Sequence, residues 1–222
     1  MGDTLQIGSG GMQCIGAYHA RPPGTTRGGI VVVQEIFGVN SHIRSLVDGF
    51  AAEGYEAIAP ALFDHLETGV ELDYDAAGIA RGRALVDELG VDRAVADVGS
   101  AALAIESAGR IGVVGYCWGG SIALLAAIRL GLPAVSYYGA GNTAWLDQPP
   151  RAPVQFHFGE FDRSIPPEAV QRHRDAIADA EIHVYPAGHG FNCDRRADYH
   201  APSARLARER TLDFCGRHLG SP

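Results

Sequence analysis

The stretch Arg110–Gly131, RIGVVGYCWGGSIALLAAIRLG, decides how this chain is read. An apolar run, RIGVV, leads into GYCWGG at Gly115–Gly120, and a second apolar run, SIALLAAIRLG, follows. The first run is short and β-branched, as in a buried strand, whereas the second has the length and composition of a buried helix. Between them two glycines flank a cysteine in a G-x-C-x-G spacing. A sharp strand-to-helix turn crowds the backbone of its central residue, and small neighbours on both sides relieve the crowding. Gly115 and Gly119 fill those places, and Gly120 lets the helix approach the sheet. This reading projects Cys117 above the sheet at the positive end of the helix, where the dipole and free N–H groups favour a thiolate. A cysteine taken alone is more often a small buried apolar residue; the flanking pattern favours a nucleophile.

Strands and helices alternate on either side of this turn. LQI and QCIGAYHA bracket GSGG as an N-terminal hairpin. GGIVVVQEIFG reads as a buried strand from about Gly29 to Ile36. In SHIRSLVDGFAAEGY, Ile43, Leu46, Val47, Phe50 and Ala51 share one helical face, and Gly54 closes the helix. EAIAP is a short strand stopped by Pro60. ALFDHLETGVELDYD lacks periodicity and reads as a loop over a site. Helices are expected near 75–89 and 92–108, joined by GVD. Downstream, the strands AVSYYG, VQFHFG and EIHVYP alternate with helices, the last of them over about 202–219. The pattern implies one α/β domain over residues 1–222, with a mostly parallel sheet covered by helices on both faces.

Composition excludes several function classes. The 222 residues are 46% hydrophobic, enough for a sizeable core, and carry a net charge of −8 with no Lys/Arg-rich run, so nucleic acid and anionic membrane are not expected partners. No export signal or membrane span is read, which points to the cytoplasm. Cys14, Cys117, Cys193 and Cys215 are far apart and form no C-x-x-C pair, so zinc-ribbon and thioredoxin patterns are absent and the thiols are expected free. No cofactor or metal is expected. The partner is a small molecule, and the chain is expected to be a monomer, with a dimer as the alternative.

In such a sheet, ligands bind beyond the carboxyl ends of the strands. Four polar residues fall there: Glu35, Cys117, Asp162 and His189. His189, in YPAGHGF after the last strand, is placed to exchange a proton with Cys117. Of the nine histidines, His157 sits inside a strand and reads as packing. Asp162, in GEFDRSIPP, is placed to hydrogen-bond the other imidazole nitrogen and fix its tautomer. Glu160 is a weaker candidate for that role. The bland alternative for Asp162 is a helix cap, for which Ser164 is better placed. Glu35 ends a very apolar strand and needs a partner or a cleft, unless it is simply a solvated strand end. Backbone N–H groups of Ile36 and Trp118 form the natural oxyanion hole. The order nucleophile, acid, histidine is that of the α/β-hydrolases.

Taken together, QEIFGVN, GYCWGG, YYG, GEFD, AGHGF and ERTLDF resemble the dienelactone hydrolase (carboxymethylenebutenolidase) family, from about Ala17 to Leu219. The resemblance implies an α/β-hydrolase fold without a cap domain, cleaving lactones or esters through a thioester. It maps the family's catalytic triad onto Cys117, Asp162 and His189, and its thiolate-assisting glutamate onto Glu35. Dienelactone-cleaving members hold the substrate carboxylate with two arginines; His65 and Cys193 stand in those places here, with Arg195 and Arg196 close to the second. With the arginine clamp missing, Phe37, Trp118, Tyr137 and Phe191 are expected to form an aromatic substrate pocket, with His65 beside it. Two other classes compete with an ester or lactone hydrolase. One is a thiol redox or peroxide sensor, which a helix-end thiolate also suits. The other is a ligand-binding module that catalyses nothing.

Overall fold

The structure, a computed structural model, describes residues 1–9 and 13–220. The chain divides into two compact units, Met1–Gly112 with Leu219–Pro222, and Val113–His218. Among the described residues there are eight strands, mostly parallel, and six α-helices, an α/β fold. No helix among them is long and apolar enough to cross a membrane.

The first unit opens with the expected hairpin, β1 (Asp3–Ser9) against β2 (Gln13–Ala20), antiparallel with Ile7 opposite Ile15. Residues 10 and 11 of its turn lie outside the described residues. β3 (Gly29–Val33) and β4 (Glu56–Pro60) pair in parallel, and β2 flanks β4 antiparallel. Every residue of β3 and β4 is buried; the apolar run of β3 and Ala57–Ala59 of β4 require it, and Glu56 at the start of β4 is buried in pairing with His19 and Arg21.

Helix α1 (Ser41–Ala52) starts at Asn40, whose side chain accepts the Ile43 N–H, and buries Ile43, Val47, Phe50 and Ala51. Helices α2 (Ala76–Leu89) and α3 (Val91–Ala104) are separated by Gly90 alone, whose φ of 74° breaks the helix. A single left-handed glycine thus does the work expected of GVD.

Two boundaries differ from the sequence reading. β3 ends at Val33, three residues early, because the buried Gln34 side chain takes over the hydrogen bonding. Its amide donates to the Glu35 carbonyl and its oxygen accepts the Leu62 N–H, both at 3.3 Å. The second long helix stops at Ala104; a short 3-10 turn, Glu106–Ala108, follows, and Gly109 at φ 101° ends it. The 61–75 segment is less irregular than expected, since Leu62–His65 form a 3-10 turn and Glu71 bridges to Gly38.

The second unit is built on four parallel strands in spatial order, β5 (Ile111–Tyr116), β6 (Ala134–Tyr137), β7 (Val154–Gly159) and β8 (Glu181–Tyr185). The register aligns Tyr116, Tyr137, His157 and His183 in one row. Their rings meet along it, stacked at 4.7 Å for Tyr116–Tyr137 and tilted at 4.4 Å for Tyr137–His157. Helix α6 (Ala201–Leu219) covers this face, with Thr211 Oγ1 2.7 Å from the Tyr137 hydroxyl and 3.1 Å from His157 Nε2. The opposite face carries Ser136 and Phe156. Helices α4 (Trp118–Arg129) and α5 (Pro167–Ala176) pack there, the latter through His173 edge-on to Phe156 and Phe158. Helices therefore lie on both faces of this unit's sheet.

Candidate active site

Cys117 is the residue between β5 and α4, and its backbone is left-handed, at φ 55° and ψ −118°. Gly115 is required there, because the Gly119 carbonyl occupies the space a Cβ on residue 115 would fill. A Cβ on Gly120 would lie 2.7 Å from the Tyr137 carbonyl, which is why glycine lets α4 close onto the sheet. The turn is pinned by the Cys117 N–H, which donates to the Tyr137 carbonyl at 3.0 Å. Cys117 occupies the N-cap position of α4 without using its side chain as a cap, so the half-buried sulfur sits at the positive helix end. Trp118 is the first residue of α4, where an N–H has no intrahelical acceptor.

The sulfur faces His189, with Nε2 3.2 Å from Sγ. On the other side of the ring, Nδ1 donates to Asp162 Oδ2 at 2.7 Å. Asp162 follows β7 in a tight turn. Its second oxygen accepts the Ser164 N–H at 2.8 Å, and its side chain is wholly buried. Ser164 therefore supports Asp162 rather than capping a helix; the cap position of α5 is Pro166. Glu160 is exposed. His157 is fully buried in hydrogen bonds to Tyr185, Gln155 and Thr211, as expected of a packing residue.

Burial alone would push the His189 imidazole down, but the Asp162 carboxylate and the Cys117 sulfur more than reverse this, and its pKa is pushed up to about 10. Protonated, the ring donates on both sides, to the carboxylate and to the sulfur. The geometry can relay a proton through the ring between the sulfur and a second acceptor. A pKa raised by folding stabilises the fold fully below the unfolded value of 6.5 and ceases to do so as pH rises through about 10. The melting-temperature advantage of the native chain over Asp162→Asn is therefore expected to be largest near pH 6.5 and to shrink toward pH 10. Thermal denaturation across that range checks this, and an advantage that grows with pH would contradict it.

The imidazole has a further neighbour. Tyr138, wholly buried, meets the His189 ring at 5.2 Å in an edge-on arrangement, and its own ring lies 5.4 Å from that of Phe191. Tyr137, the expected pocket residue, instead lies in the aromatic row with its hydroxyl on Thr211. The sequence offered one signal for Tyr138, the YYG that ends a strand, but not which tyrosine turns toward the histidine. Gly190, at φ 80°, follows His189, and Arg196 packs onto it, with the guanidinium Cζ 2.7 Å from where a Cβ would stand. Cys193 is buried, and Arg195 is exposed.

In the first unit, Glu35 is fully buried, so it is not a solvated strand end. The Tyr74 hydroxyl donates to its Oε2 at 2.9 Å, and the Asn40 amide donates to that hydroxyl at 3.0 Å. Nothing in the sequence pattern flags Tyr74. Phe37, 2% exposed, packs on the Tyr74 ring at 4.4 Å. Ile36 lies in the turn after Glu35, and Gly82 of α2 backs directly onto its carbonyl, where a side chain would not fit. His65 is paired through Nε2 with the buried Asp97 at 2.8 Å.

The dienelactone hydrolase family pattern matches residues 15–219. A carboxymethylenebutenolidase of Pseudomonas putida is 34% identical over 197 residues, covering 83% of this chain and 84% of its own length. An Escherichia coli O157:H7 protein assigned as a carboxymethylenebutenolidase is 39% identical over 229 residues, covering 92% and 83%. A Klebsiella pneumoniae structure assigned as a dienelactone hydrolase superposes with a TM-score of 0.84 at 34% identity, over 96% of this chain and 97% of its own. An α/β serine hydrolase homologue of Coxiella burnetii, 15% identical with a TM-score of 0.69 over 95% and 96% of the two chains, shares the fold. The G-x-C-x-G turn, the acid after β7 and the histidine after β8 all fall inside the matched segment, and the chain belongs to the dienelactone hydrolase family.

Proposed function

We propose that this protein hydrolyses carboxylic esters and lactones with Cys117 as nucleophile, His189 as acid–base group and Asp162 as the residue that orients it. The observation that carries this reading is the hydrogen-bonded row Asp162–His189–Cys117, at 2.7 and 3.2 Å, ending on a sulfur at a helix N-terminus. The thiolate attacks the carbonyl carbon and the negative charge moves to the carbonyl oxygen. The Ile36 and Trp118 N–H groups are proposed to receive it. The carbon–oxygen bond then breaks, and the leaving alkoxide takes the Nε2 proton, which leaves a thioester on Cys117. Water attacks the thioester as His189 takes its proton, and the thiolate returns.

Glu35 is proposed to assist thiolate formation. Phe37, His65 and Phe191 are proposed to belong to the substrate pocket, through packing rather than through open surface. The family membership of the chain and the relatives' names support hydrolysis over the redox and binding alternatives. The imidazole held on both sides counts further against the binding alternative, since binding alone needs neither contact.

Steady turnover of p-nitrophenyl acetate, abolished in step with iodoacetamide alkylation of Cys117, is the expected result. Turnover that survives complete alkylation would overturn the proposal, and so would the absence of turnover by unmodified protein. The same alkylation rate, measured on Glu35→Gln, reports the glutamate's role; a rate equal to that of the native chain would make Glu35 structural.

A further inference from the structure

Among the described residues, only two other than glycine hold a left-handed backbone: Cys117 at φ 55° and Tyr138 at φ 38°. They occupy equivalent places. Cys117 follows Tyr116 at the end of β5, Tyr138 follows Tyr137 at the end of β6, and Tyr116 and Tyr137 are register partners. Each is pinned to the next strand, the Cys117 N–H to the Tyr137 carbonyl at 3.0 Å and the Tyr138 N–H to the His157 carbonyl at 2.8 Å. A bulky residue avoids this backbone region, which suits glycine and, to a lesser extent, asparagine. Where it persists, the surroundings over-determine it, and such positions cluster at functional sites. Both strained residues meet the same imidazole, Cys117 through Sγ at 3.2 Å and Tyr138 through its ring at 5.2 Å.

We infer that Tyr138 is a positioning residue that keeps the His189 ring in place while the thioester is hydrolysed. The inference rests on the cysteine–histidine reading above. In the resting protein the imidazole is held at both nitrogens. Once Cys117 is acylated, its sulfur carries no charge and is a weak acceptor, so Nε2 loses that hold and only the Asp162 bond at Nδ1 remains. A ring held at one nitrogen can rock about that bond, and the edge-on Tyr138 ring, itself packed against Phe191, blocks the motion. In the step itself, one water proton passes to Nε2 and the water oxygen bonds to the carbonyl carbon. The carbon–sulfur bond breaks with its electron pair on Sγ. Carboxylic acid leaves, and imidazolium again faces thiolate.

The test uses the full chain acetylated by p-nitrophenyl acetate, with loss of acetyl from Cys117 followed by mass spectrometry after the ester is removed. Tyr138→Asn removes the ring and suits the left-handed backbone. It is expected to keep the iodoacetamide and acylation rates within about threefold and to slow deacylation about tenfold, a difference of about 1.4 kcal/mol. Steady-state kcat and KM then fall together while kcat/KM holds. Tyr138→Phe restores most of the deacylation rate. Deacylation of Tyr138→Asn at the native rate, or equal losses in acylation and deacylation, would overturn the inference. If Tyr138→Asn does not fold, Tyr138→Leu is measured in the same way with the same expected results. An absence of acetyl on Cys117 of the native chain would overturn the thioester reading itself, a failure distinct from that of Tyr138.

Discussion

Cys117→Ala is expected to lose on the order of 10³–10⁶-fold in ester turnover while melting close to the native temperature, because deleting a nucleophile removes the reaction route rather than a contact. The fold tolerates the change for local reasons. Cys117 is only half-buried, its side chain caps nothing, and the turn is held by backbone and glycine geometry instead. Alanine at φ 55° is strained much as cysteine is. Retention of more than about a tenth of the activity, a barrier change of only about 1.4 kcal/mol, would show that the sulfur is not the attacking atom. Turnover and a melting curve on the one variant decide the matter.

Neutral esters and lactones are expected to be hydrolysed at least about tenfold better, in kcat/KM, than carboxylate-bearing analogues of the same size. Charge-assisted hydrogen bonds contribute on the order of 1.5–3 kcal/mol each, so two absent arginines are a large deficit for an anionic substrate. The residues in their places do not make it up. His65 is already paired with the buried Asp97, and Cys193 is a buried cysteine, a side chain that carries no positive charge. The net charge of −8 adds no general attraction. The cation to watch is Arg196, seated against Gly190 beside the histidine. A dienelactone and its methyl ester, measured side by side, test this. A tenfold preference for the acid would mean that Arg196 serves the substrate, and Arg196→Ala should then erase that preference.

The sequence carried the elbow and the row of three side chains most clearly, because both rest on local rules. The Gly119 carbonyl stands where residue 115 would need a Cβ, so the G-x-C-x-G spacing is a steric requirement that can be read directly. Asp162 and His189 follow β7 and β8 as strand order demands, and Asp162 rather than Glu160 meets the ring. What escaped the reading depends on contacts distant in the chain or on a one-residue choice at a strand end. Tyr74 reaches Glu35 from 39 residues away, out of a segment without periodicity. The strand expected to run to Ile36 ends at Val33 because the Gln34 side chain bonds to two backbone groups, which no apolar pattern encodes. Of the two adjacent tyrosines after Ser136, Tyr137 joins the aromatic row under α6 and Tyr138 turns to the histidine, a choice set by where β6 ends. The His65–Asp97 pair likewise joins a turn after β4 to the middle of α3.

Acid-quenched turnover of p-nitrophenyl acetate, followed by peptide mapping, tests the central claim most directly. If Cys117 attacks the ester and His189 completes the cycle, an acetyl group is found on Cys117 during turnover and disappears once the ester is consumed. An acetyl group that sits on another residue during turnover and turns over with the ester, leaving Cys117 unmodified, would contradict the account.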